Sequence, residues 1–233
     1  MIAEKDNGNW SGYKKILLPL GHKADINNLT NLTSYLIDKK QGEVELIHIM
    51  RQGNYTGLPK EWREGSNRVT ESHHKMMRLG LHSNRKMTTA ESIERGILEE
   101  AFDIEADSII LGWGPKPKSN ISKMASKIMN NANCDVLVYK NRNDLDSIEN
   151  ILYPIAFEPD PSRLNLISRI IKETGATLTI AHMTNRNQGN EKKGRSLLDR
   201  AIKKAKKYGI EAKSLLLKGR NVEVEVGKAS KDY

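Results

Sequence analysis

The stretch DSIILGWGPKPKSNISKMASKIMNNANCDVLVYK, residues 107–140, decides how this chain is read. Residues 108–111 are uncharged and mostly apolar, as a strand buried on both faces must be. Glycines at 112 and 114 then open a loop. Residues 121–132 place Ile121, Met124, Ala125, Ile128 and Met129 at i, i+3, i+4, i+7 and i+8, which predicts a helix, with Ser119 or Asn120 as its cap. Residues 135–139 make a second apolar strand. Strand, glycine loop, helix and strand form a parallel unit, and in such units the loop after the first strand is where anions meet backbone N–H groups and a helix N-terminus.

Working upstream, residues 13–20 (YKKILLPL) predict a short strand that stops at Pro19, since proline cannot extend an interior ladder. Gly21 and His22 follow, then a helix from about Asp25 with Leu29, Leu32 and Leu36 on one face. Residues 43–50 (EVELIHIM) predict a buried strand. Residues 61–79 form a weaker helix with Val69, Met76 and Leu79 inward, and residues 81–87 an edge strand. Residues 89–105 predict a helix on Ile93, Ile97, Ala101 and Ile104, capped by Thr88 or Thr89, with Glu99, Glu100, Asp103 and Glu105 on its solvated face. Strands alternating with helices predict a doubly wound parallel α/β sheet covered on both sides.

Downstream the pattern starts again. ILYPI at 151–155 repeats ILLPL at 16–20, LTIAHM at 178–183 repeats VELIHI at 44–49, and His182 falls on His48. Tyr208-Gly209 answers Leu79-Gly80, so the period is about 130–135 residues. The chain therefore divides into a polar tail (1–12), a first α/β subdomain (13–140), a linker (141–148) and a second subdomain (149–233). The second copy stops where the counterpart of residues 108–111 should begin. An open central strand edge is one that proteins avoid, so the expectation is that the chain continues or that another segment covers it.

The totals narrow the classes. The 233 residues are 37% hydrophobic and 29% charged, with net charge +9, a soluble globular balance. No apolar run approaches a membrane span, and the N-terminus lacks the apolar core of a signal peptide. A single cysteine, Cys134, excludes an intrachain disulfide and points to a reducing compartment. It has no basic neighbour to activate it and reads as a buried structural thiol. His73 and His74 are adjacent and diverge on a helix, so they make no metal face. His48 and His182 read as a packing or hydrogen-bonding pair near the reversal of strand order. The basic helix around Arg195–Lys207 presents Lys203, Lys204, Lys206 and Lys207 opposite Leu198 and Ala201, a face suited to an anionic membrane surface. A nucleic-acid reading would rest on charge alone and is not adopted.

The series ILLPL, EVELIHI, GILEEAFDIEADSIILGW and CDVLVYK resembles the universal stress protein family over almost all of residues 13–140, and the second copy resembles it over 151–233. The resemblance implies two tandem Rossmann-like subdomains with strand order 3-2-1-4-5, and homodimerisation, for which Trp113, Val136 and Val138 are the interface candidates. Family members that bind ATP share a glycine, two residues, a glycine, nine residues, a glycine and a Ser or Thr. Laid on this chain, that pattern leaves Gly112, Gly114, Lys116 and Ser126 as the cofactor-binding candidates, with Pro115 and Ala125 where glycines belong. Pro115 removes a donor and fixes φ, so the loop reads as degenerate and no cofactor is expected, ATP being disfavoured. The tandem copies with Trp113 after Gly112 are similar to cytoplasmic C-terminal regions of amino-acid/polyamine/organocation transporters, either prokaryotic cation–chloride cotransporters or amino-acid permeases. That implies a non-enzymatic regulatory domain at the inner face of the plasma membrane. The alternative is a soluble tandem stress protein that binds an adenine nucleotide.

Overall fold

The computed structural model describes residues 10–22, 24–53, 58–113, 120–140, 148–184 and 188–230. They form two compact units, one within Ser11–Leu145 and one within Asp146–Tyr233. The first contains β1 (Lys15–Pro19), α1 (Ile26–Leu36), β2 (Glu43–Arg51), α2 (Leu58–Arg78), β3 (His82–Ala90), α3 (Ile93–Asp103), β4 (Ser108–Trp113), α4 (Asn120–Asn131) and β5 (Asp135–Lys140). Its strands are all parallel, as the alternation predicts, and stand in the order β3-β2-β1-β4-β5 that the resemblance implies. Ile16, Leu17 and Leu18 of central β1 are fully buried, because helices cover both faces of the sheet. On one face α3 and α4 bring Ile97, Ala101, Ala125 and Ile128 onto Leu17, Ile47 and Ile109.

The second unit contains β6 (Asn150–Ile155), α5 (Pro161–Thr174), β7 (Thr177–Thr184), α6 (Gln188–Lys207), β8 (Ala212–Lys218) and α7 (Val222–Ala229). Its sheet has three parallel strands, β6-β7-β8. β6 is the counterpart of β1 yet ends the sheet, and Ile151, Leu152 and Tyr153 are only half-buried where Ile16–Leu18 are fully so. Val222 and Val224 of α7 are exposed.

Several local expectations need correction. α3 starts at Ile93 with Ser92 as its N-cap, whose side chain accepts from the Arg95 N–H. Thr88 and Thr89 lie in β3, where they pair with Ile49 and Met50. Edge-strand pairing, a non-local interaction, outcompetes the local capping preference there. Glu100 is buried, not solvated, and its carboxylate meets Lys86 Nζ of β3 at 2.6 Å. Leu79 and Met129, both expected inward, are exposed. Gly112 and Trp113, expected in the loop, belong to β4 and pair with Tyr139 and Lys140. No helix among the described residues is long and apolar enough to cross a membrane.

Candidate functional site

In the first unit strand order reverses between β1 and β4, and the C-terminal ends of these strands frame the place where open α/β sheets hold ligands. Gly112 stands at the β4 side. A Cβ built there would lie 2.8 Å from Leu29 Cδ1 of α1, so the missing side chain makes room for a helix leucine. Ser126 is exposed on α4, and its neighbour Ala125 is buried in the core, where a side chain is useful. Gly114 and Lys116, with Pro115, lie outside the described residues, as do the surroundings of the Trp113 side chain. The close approach that Gly112 permits is taken by Leu29.

The β1 side is built around histidine. His48 of β2 is 2% exposed, and its Nδ1 lies 2.6 Å from the Leu20 carbonyl just past β1. A carbonyl only accepts, so Nδ1 carries the proton and donates. Nε2 has no partner within the described residues. Burial, the largest influence, holds the His48 pKa below the usual histidine value, against the carbonyl hydrogen bond, which favours the charged form. The ring is therefore neutral at pH 7. His22, exposed after β1, meets it edge-on with centroids 5.4 Å apart, and His22 Nδ1 lies 3.6 Å from Glu64 Oε2 of α2.

Gly65 of α2 faces the same ring: a Cβ there would lie 2.3 Å from His48 Cδ2. The second unit repeats the device. His182 Nδ1 donates to the Ile155 carbonyl at 2.9 Å, and a Cβ on Gly194 of α6 would stand 3.0 Å from His182 Cδ2 and 2.6 Å from Thr184 Cγ2. Each histidine thus pins a strand to the end of its neighbour under a helix glycine. The paired histidines are legible in the repeat. The two glycines are not singled out by periodicity, although an interior helix glycine costs about 1 kcal/mol against alanine and its recurrence at 65 and 194 was the available signal.

Val136 and Val138 of β5 are half-buried and pack onto the core of the first unit at the end of the sheet. Cys134, just before them, is half-buried, and burial followed by Asp135 and Asp107 pushes its thiol up to about 11. Among the described residues no three metal-ligating side chains come together. His73 is held near Ser83, with Nδ1 2.8 Å from Oγ.

A five-stranded parallel sheet in this order, together with a second unit whose three parallel strands repeat part of it, defines a tandem Rossmann-like protein. The family model described as "Universal stress protein family" matches residues 12–140, more than half of the chain, and the chain belongs to that family. A universal stress protein from Archaeoglobus fulgidus DSM 4304 is similar in structure with a TM-score of 0.65 at 15% identity, over 94% of this chain and 81% of that one. A functionally unknown protein from Pseudomonas aeruginosa PAO1 gives 0.65 at 15% identity, over 94% and 78%. A universal stress protein from Archaeoglobus fulgidus, solved in complex with dAMP, gives 0.46 at 15% identity, over 54% of this chain and 97% of that one. No curated protein matches the chain.

Proposed function

We propose that this chain is a non-enzymatic regulatory and dimerisation domain that acts through contacts. The observation that carries the reading is β5: it ends the five-strand order, pairs along β4, and presents the half-buried run Val136-Leu137-Val138 at the sheet margin. An apolar end strand of this kind is a template for pairing with another chain unless it is covered. A second copy is the occupant that the reading assigns to it, with Val136 and Val138 at the contact. In its finer form, the domain would belong to a secondary membrane transporter of the cation–chloride cotransporter or amino-acid permease type and bias transport from the cytoplasmic face. The support for that form is the resemblance carried by the tandem copies and Gly112-Trp113.

The rival reading is a tandem stress protein that binds an adenine nucleotide. The strand-order reversal favours it; the packing of Leu29 over Gly112 and the burial of Ala125 weigh against it. Light scattering tests the first reading: a dimer at about 10 µM that becomes a monomer in Val136→Asp/Val138→Asp is expected. A wild-type monomer would sink it. Calorimetry with ATP at about 1 mM is expected to show no saturable heat, and a saturable isotherm would install the nucleotide reading instead.

A further inference from the structure

The second unit holds a cleft of about 630 Å³ between the start of α5 and the outer face of α6. That volume lies within the range of small-molecule sites, roughly 300–1,000 Å³. One wall is Glu158 and Pro161; the other is α6, which contributes Arg200, Lys203, Lys204 and Lys207 at successive turns, with Tyr208 just past its end. Arg200 Nε donates to Glu158 Oε1 at 2.7 Å, so those two charges offset each other. Among the described residues, Lys203, Lys204 and Lys207 have no ion-pair or hydrogen-bond partner, although Lys204 is half-buried. Three uncompensated ammonium groups facing one cleft repel one another, and an anion that enters it relieves that repulsion.

In the first unit the corresponding pair of helices is bridged. Lys75, the counterpart of Lys204 by the Leu79-Gly80 and Tyr208-Gly209 match, donates to the carbonyl of Asn27 at 3.1 Å and to its Oδ1 at 2.8 Å, tying α2 to the start of α1. The corresponding position on α5, two residues past the N-cap in both copies, is Ser162, whose hydroxyl instead donates to Asp160. The bridge is thus absent in the second copy, and its lysine is left lining an open cleft beside two more.

We propose that this cleft binds a ligand carrying two or more phosphate groups. The lysines act as point-charge phosphate donors, and Tyr208 and Pro161 flank them with apolar surface for the rest of the ligand. The phosphates come either from a soluble polyphosphorylated molecule or from the headgroup of a phosphoinositide. The site lies in the second unit and is independent of the contact reading given to β5.

The test uses the full chain and two variants of equal charge loss. One is Lys203→Gln/Lys204→Gln/Lys207→Gln in the cleft, and the other is Lys192→Gln/Lys193→Gln/Lys206→Gln on the same helix outside it. Each is titrated by calorimetry with inorganic tripolyphosphate and tested for sedimentation with phosphatidylcholine vesicles, with and without phosphatidylinositol bisphosphate. Circular dichroism confirms that both variants keep the fold. Saturable tripolyphosphate binding that weakens about tenfold or more in the cleft variant, and less than about twofold in the control, supports a soluble ligand. The same contrast seen only with phosphoinositide vesicles supports the lipid source. Equal losses in the two variants, as diffuse attraction to any polyanion including nucleic acid would give, overturn the proposal. So does an absence of binding to both probes.

Discussion

His48 shows how a single residue is committed by its surroundings. Its Nδ1–H is spent on the Leu20 carbonyl and its ring fills the space that Gly65 leaves, so it is a structural histidine held neutral. Gly65→Ala should cost roughly 1–2 kcal/mol in urea denaturation, because overpacking against the ring outweighs the better helix propensity of alanine. The pH response follows from the depressed pKa. Below the unfolded value of about 6.5 the unfolded chain takes up a proton that folded His48 refuses, so stability falls as pH drops through the window between the unfolded and folded values, and is fully present above it. The urea midpoint of the wild type should therefore decline between about pH 7.5 and 5.5 more than that of His48→Gln. A parallel decline in both would show that other groups set the slope. Cys134, with its thiol pushed up to about 11, should react with a disulfide reagent at pH 7.5 more slowly than free cysteine, and faster labelling would contradict that assignment.

At the scale of elements, pairing across the sheet decides what local signals leave open. Glycines at 112 and 114 suggest that the loop begins at Gly112, yet β5 holds β4 in register through Trp113. The acidic face of α3 is likewise divided by its neighbour: Glu99 pairs with exposed Arg95, whereas Glu100 turns inward to Lys86. The hydrogen bond from Lys86 raises its own pKa, and nearby Glu45 is raised by burial and then by Glu100. Lys86→Met leaves a buried carboxylate without its partner. The expected loss is about 1–2 kcal/mol, toward the low end for such a break because Lys86 is nearly half-exposed and already screened by water. Glu100→Gln in the same background should recover part of that loss. If the double variant is no more stable than Lys86→Met, the pair does not act as described.

Across the whole molecule, two copies of one plan differ in how fully they are enclosed. β1 lies between β2 and β4, whereas its counterpart β6 has β7 on one side and ends the sheet. Hydrogen exchange should therefore be slower at the amides of Ile16, Leu17 and Leu18 than at those of Ile151, Leu152 and Tyr153. Equal protection would mean that β6 is covered in solution. The order of elements and the internal repeat were legible in the sequence, because apolar periodicity and turn residues are local signals. So was the family resemblance, carried by the apolar strands and the signature around residues 96–113, and the strand order of the first sheet came only through it. Three features were decided by the tertiary structure: the use of Gly65, Gly112 and Gly194 to admit His48, Leu29 and His182, the inward turn of Glu100, and the cation-lined cleft between α5 and α6. Each depends on the distance between segments far apart in the chain, and periodicity along one segment carries no measure of that distance.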